Sequence, residues 1–287
     1  MNRLKFRTVK NNLFFISVCL LSGLTAVPLL AIIGKVVING WDQINTAFFT
    51  QPSPSTLDAM LAISDGREIP GGIANGIIGT LTMVMGASVI AIPVGILCGI
   101  YLAEKAKTFF ASVIRFLTDL LQGIPSIVVG IIVYIWVVVP LKSYSAIAGS
   151  IALAIMMLPL IIRSTEETLK MLPPSLKEAG LALGSSHISV MVKILLPSAF
   201  GGIFTGILLA VSRVMGETAP LMLTALGSTM IQWDITRPSS AVSLLIWEFY
   251  NDPNLQAMIW SASLFLLFFV LLLNITAKQI SKKWKIR

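Results

Sequence analysis

Arg213 and Glu217 stand four residues apart in the stretch Arg213-Val-Met-Gly-Glu217-Thr218-Ala-Pro220, between two uncharged runs. On one helix that spacing puts both side chains on the same face, where they can pair. If the helix opens near Pro197, Arg213 lies roughly 24 Å along it at about 1.5 Å per residue, in the outer half of a bilayer; continued toward Leu226, the pair lies nearer the middle. A charge at mid-membrane costs about 2.5–3.5 kcal/mol, so each residue needs a polar reason to be there. A planar guanidinium offers fixed donors to a tetrahedral oxyanion. The carboxylate balances it when no anion is present and accepts a hydrogen bond from an oxyanion that still carries a proton. An outer interfacial salt bridge is the alternative for the same two residues. Gly216 and Pro220 could unwind the helix, which is tolerated at membrane depth only where the backbone is buried in protein or faces a wet cavity.

A second informative segment, residues 163–193, is charged and reads as two short helices. Pro173-Pro174 ends one helix, Ser175 can cap the next, and Glu178 three residues later completes a capping box. Leu176, Ala179 and Leu183 share a face, and Gly184 supplies a left-handed stop. Ser185 or Ser186 caps a further piece in which Ile188, Met191, Val192 and Leu195 line an apolar side, and Pro197 opens the next long helix at a first-turn position. Such a hairpin either lies passively in the lipid interface or forms a socket for a soluble partner. His187, the chain's one histidine, reads as a surface or contact residue, because a metal needs more ligands than one ring.

The elements that position these residues follow from composition. The chain has 287 residues, 56% hydrophobic and 12% charged, about half the charged share usual in a soluble domain. Disorder, collagen-like repeats and a disulfide scaffold are excluded, and Cys19 and Cys98, both inside apolar runs, read as small core residues. A membrane crossing needs roughly 20 apolar residues, and the runs 13–34, 73–103, 120–141, 143–162, 194–212 and 253–277 meet or approach that length. The fold class is therefore an all-α polytopic membrane protein with six transmembrane helices. The first run is too long for a cleaved signal and reads as a retained anchor. Small residues recur four apart at Gly95 and Gly99, Ser126 and Gly130, and Gly202 and Gly206, a spacing that permits close helix contact in lipid and is also common in membrane helices generally.

Lysine and arginine set the orientation. The +8 net charge sits at the edges of the apolar runs rather than in a patch suited to nucleic acid. With both termini cytoplasmic, the inner side holds Arg3, Lys5, Arg7, Lys10, Lys105, Lys107, Arg115, Arg163, Lys170, Lys177, Lys193 and the tail from Lys278 to Arg287. The outer side holds Lys35, Arg67, Lys142 and Arg237. The outer connections 35–72 and 220–252 are long, and the apolar piece 238–247 is too short to span, so it reads as an interfacial or re-entrant helix. The chain divides into an amino-terminal span with its outer loop (1–72), a five-span core (73–277) and a basic inner tail (278–287).

The run Glu178-Ala179-Gly180, three residues, Gly184, nine residues and Ile194-Leu-Leu-Pro197 resembles the EAA loop of ABC-importer permeases. Gly180 stands where that family usually has a second alanine. Arg213-Val-Met-Gly-Glu217-Thr218-Ala-Pro220 is similar to the signature of phosphate-specific ABC permeases, as are Gly72-Ile-Ala-Asn-Gly-Ile-Ile-Gly-Thr-Leu81 and Gly123-Ile-Pro-Ser-Ile-Val-Val-Gly130. The resemblance covers residues 73–277, and the length suggests the smaller of two related permease subunits. It implies a type I ABC importer permease fold in the bacterial cytoplasmic (inner) membrane. It further implies a substrate pathway at Arg213, Glu217 and Thr218, and docking of an ATPase on the EAA loop through Glu178, Ala179, Gly180, Gly184, His187, Ile194 and Pro197. The implied partners are a second related permease, two ABC ATPase subunits and an external phosphate-binding protein. ATP and Mg would be used by the ATPase, with no cofactor held by this chain. Consistent with that, no Gly-x-x-x-x-Gly-Lys-Ser/Thr loop, metal-ligand cluster or Ser/His/Asp set occurs, so the chain reads as a transport subunit rather than an enzyme. An ion-coupled oxyanion carrier, an importer for another oxyanion and a non-transporting scaffold are the competing readings.

Overall fold

The computed structural model describes residues 2–283. Met1 and residues 284–287 lie outside it, and the expected inward placement of Arg3, Lys5, Lys282, Lys283, Lys285 and Arg287 falls outside the described side chains. The helices are α1 (Asn2–Asn39), α2 (Thr46–Thr50), α3 (Thr56–Ser64), α4 (Ala74–Glu104), α5 (Phe109–Gly123), α6 (Ser126–Leu141), α7 (Ala146–Lys170), α8 (Pro174–Ala182), α9 (His187–Val214), α10 (Ala219–Thr224), α11 (Val242–Asn251) and α12 (Gln256–Lys283). Among the described residues five helices are long and apolar enough to cross a membrane, and the pair α5–α6 makes a sixth crossing if its two limbs are one span.

The centre of the bundle is α7, whose most extensive contact is with α4 and which also packs on α9. Met83, Ala87 and Ala91 of α4, Leu153, Met157 and Ile161 of α7, and Ala210 and Val214 of α9 form one buried cluster. Small residues set the spacing. A Cβ on Gly99 would lie 2.5 Å from Cβ of Thr165, and one on Gly206 would lie 1.8 Å from Oγ of Ser164, so α4 and α9 approach α7 as close as backbone allows. By contrast α1 is exposed along nearly its whole length and meets the bundle chiefly near its carboxyl-terminal end, against α12. Cys19 is exposed on it, not a core residue as its apolar surroundings suggest, because the helix around it is exposed on all sides among the described residues.

Three sequence expectations are corrected. The run 120–141 is not a straight crossing: α5 and α6 meet at 108°. Pro125 offers no N–H and pushes Ile124 out of the helical region, to φ −75° and ψ 131°, so the chain turns although every neighbour is apolar. The fifth span does not open at Pro197. Ser186 caps it, accepting from the Ser189 N–H at 3.3 Å, and α9 runs on from His187. A π-turn at Met191–Leu195 loosens the helix just before Pro197, where an α-turn would set the ring against a carbonyl. The capping box at Ser175 does not form, because α8 starts one residue earlier with Pro174 in its first turn and Pro173 as its cap.

The two long connections, 35–72 and 220–252, are folded onto the bundle. Phe48 of α2, Ile73, Val242, Leu245 and Phe249 of α11, and Met258 of α12 form a second buried cluster. Asn75 is buried; its carbonyl accepts from the Ser53 N–H at 3.0 Å and its amide donates to the Ser228 carbonyl at 2.7 Å, joining two outer loops. Three of the first backbone N–H groups of the fourth span, at Ser145, Ala146 and Ile147, donate to the carbonyls of Thr224, Arg237 and Ile235. The piece expected as an interfacial or re-entrant helix is α11, and its buried residues pack it among α4 and α12.

Candidate functional site

Arg213 occupies the last turn of α9, and the helix ends before Glu217. The Gly216 and Glu217 N–H groups donate to Arg213 and Val214 carbonyls in a tighter turn, and α10 starts only at Ala219. The expected pairing on one helical face is therefore overturned: among the described residues no ion pair joins Arg213 to Glu217 or to any other carboxylate. Both instead line a cavity of about 240 Å³ together with Gln122, Ile124, Pro125, Ser126, Met156 and Pro159. The break in the third span forms the opposite wall. Gly130 lets α6 close against α10, since a Cβ there would sit 2.8 Å from Cα of Pro220.

Thr218 plays another part. Its hydroxyl donates to the Ser243 carbonyl at 3.4 Å, while the Ser243 hydroxyl donates to the Glu217 carbonyl at 2.8 Å. These two bonds anchor the turn that carries Glu217 to α11. Thr218 is not on the cavity wall.

A larger cavity of about 1040 Å³ lies toward the α8 hairpin, between α5, α7, α8 and α9. Asp119, Gln122, Arg163, Ser164, Glu167 and Thr168 supply its polar wall, with Leu172 and Leu176 at the hairpin end. Behind this wall is a charge cluster that the sequence reading did not identify. Glu166, 2% exposed, accepts from Arg115 at 3.0 and 2.8 Å and from Lys170 at 2.6 Å. Arg115 also donates to the carbonyls of Ala106 and Leu102, so one guanidinium ties the end of α4 to α5 and α7. The available signal was Arg163-x-x-Glu166-x-x-x-Lys170, three and four residues apart on one helix.

The EAA segment faces two ways. Gly180 is buried, and an added Cβ would stand 2.9 Å from both Ile194 and Val190, which accounts for glycine where alanine is usual. Glu178, Ala179, Gly184, His187 and Pro197 are exposed, and Ile194 is half-buried. Leu183 and Ile188 are exposed too, at 86% and 77%, so Ala179 and Leu183 do not share a buried face with Leu176. Gly184 takes φ +78° as the stop requires. The hairpin is anchored by Lys177 of α8, which donates to Glu104 at the end of α4.

The model of the family described as binding-protein-dependent transport system inner membrane component matches residues 91–286. A phosphate transport system permease protein of Yersinia pestis is 41% identical over 90% of this chain and 85% of its own length. Proteins of the same name are 38% identical in Pasteurella multocida, over 78% of this chain and 81% of theirs, and 33% identical in Mycobacterium leprae, over 94% and 88%. The methionine ABC transporter MetNI, solved in inward-facing conformations, matches in fold with a TM-score of 0.60 at 20% identity, over 74% of this chain and 94% of that one.

Proposed function

The chain belongs to the family of binding-protein-dependent transport system inner membrane components, and we propose that it is the membrane-spanning permease subunit of an ATP-driven importer of inorganic phosphate. The relatives' shared name supports the substrate. The observation in the molecule that carries the reading is the Arg213 guanidinium, with no ion-pair partner among the described residues, on the wall of a cavity shared with a broken span. A charge left unpaired in a membrane-spanning helix is retained where a ligand or water meets it. Phosphate bears a proton at neutral pH, so Arg213 holds its oxyanion edge while Glu217 accepts from its hydroxyl.

Energy comes from outside the chain. The exposed Leu183 and Ile188 form an apolar end on the α8–α9 hairpin, suited to a groove on an ATPase subunit that uses ATP and Mg. Because Lys177 ties the hairpin to α4 and α9 runs unbroken from His187 to Val214, movement of the hairpin reaches Arg213 along one helix. A second permease, two ATPase copies and an external phosphate-binding protein complete the assembly, in the cytoplasmic membrane with both termini inside. The test is uptake of labelled phosphate by the co-purified assembly in vesicles. Uptake that requires ATP on the ATPase side supports the reading. Uptake by this chain alone, driven by an ion gradient, would make it a secondary carrier, and preference for sulfate would reassign the substrate.

A further inference from the structure

The larger cavity is not accounted for by Arg213 and Glu217, which line the smaller one. Gln122 stands on the wall of both, so the space beside Arg213 adjoins a route toward the inner surface at the α5–α6 break. On that route is a second guanidinium, Arg163, held by two carboxylates of unlike character. Glu166 lies behind it, with Oε2 3.6 Å from Nη1 and no hydrogen bond of its own at that oxygen. It is 2% exposed and pinned by Arg115 and Lys170, so it cannot leave. Asp119 lies in front, accepting from Nη2, and is 58% exposed on a helix that ends four residues later at the break. It is free to swing into water. A guanidinium with a fixed rear partner and a displaceable front one can exchange a carboxylate for another oxyanion without leaving its place.

We propose that Arg163 is an inner release station of the conduit, which takes the tetrahedral oxyanion handed on past Gln122 while Asp119 gives way, and which returns to Asp119 as the anion departs. The proposal rests on the phosphate-import reading above. Only ion pairs are exchanged, and no covalent bond forms or breaks. Glu167, exposed on the same wall, leaves the acids facing the cavity in excess over Arg163, so an anion is held there weakly and expelled inward. That is the property an exit needs and a capture site must avoid.

The experiment is phosphate uptake by the complete assembly in vesicles with ATP inside, repeated with increasing phosphate in the lumen. Asp119→Asn removes the carboxylate that competes for Arg163, so luminal phosphate should inhibit uptake at a concentration about fivefold lower than for the unaltered protein. Arg163→Gln should lower uptake about tenfold and make what remains less sensitive to luminal phosphate. If the pair is a structural clamp, both changes lower uptake together and luminal sensitivity stays where it was, which overturns the proposal. Should Arg163→Gln fail to co-purify, the Asp119→Asn shift decides alone: a lower inhibitory concentration supports the proposal, an unchanged or higher one overturns it. Failure of the unaltered assembly to take up phosphate would instead remove the import reading on which the proposal stands.

Discussion

Two charged centres in this chain are built on opposite terms. Around Glu166 every charge is answered from within: Arg115 and Lys170 bond the carboxylate and Arg163 flanks it, with the carboxylate itself almost unexposed. Around Arg213 no carboxylate is within pairing distance among the described residues, although Glu217 is near in sequence and lines the same cavity. A charge satisfied by its own chain holds helices together. A charge left open at the edge of a cavity is kept for something that is not part of the chain. The difference arises from backbone: α7 stays helical through Arg163, Glu166 and Lys170, whereas α9 stops between Arg213 and Glu217.

If the inner centre is structural, breaking it should affect folding first. Glu166→Ala leaves the half-buried Arg115 without its carboxylate and should cost about 2–3 kcal/mol, below the range for a fully buried pair, seen as loss of co-purified assembly and of thermal stability. Replacing both partners, Arg115→Met with Glu166→Leu, should recover most of that loss, since an apolar pair of similar volume dispenses with the desolvation of two ions. Failure of the double change to recover would mean that the network does more than hold α5 on α7.

A smaller effect should come from Gln122, which touches both cavities and carries no charge. Gln122→Leu should lower phosphate uptake by about three- to tenfold, with unaltered thermal stability, because it removes a polar step from the route without disturbing an ion pair. Equal loss of stability and uptake would place Gln122 with the structural centre instead.

The smallest effect tests a carboxylate between the two regimes. Glu248 of α11, against Gly227, has no cation within ion-pair distance among the described residues, and burial raises its pKa to about 6. A carboxyl whose folded pKa is raised stabilises the fold as the neutral acid. That contribution is full below the ordinary carboxyl range and is lost as pH rises through about 6. The melting temperature of the detergent-solubilised assembly should therefore fall by about 2–4 °C more between pH 5 and 7.5 than it does in Glu248→Gln. Identical pH profiles for the two would show that Glu248 is ionised at little cost.

The long helices were legible in the sequence because uninterrupted apolar runs of spanning length have few other solutions. The break at Pro125 was not, since 120–141 is apolar on both sides of it and hydropathy does not record direction. The Arg213–Glu217 separation was half legible. Gly216 and Pro220 marked a place to unwind, but four-residue spacing implies pairing only if the helix continues. Glu166 was hidden for another reason: one of its partners, Arg115, is 51 residues away in sequence, so only folding brings them together. The EAA loop was legible as a helical hairpin, yet which of its apolar residues face outward depended on Gly180 seating on Val190 and Ile194.

The central claim is that Arg213 is left unpaired for a travelling anion. Phosphate uptake per assembled complex in Arg213→Ala, with the melting temperature recorded on the same preparation, tests it most directly. Loss of uptake by about a hundredfold or more with an unchanged melting temperature is the expected result. Uptake at the unaltered rate in a properly assembled complex would contradict it.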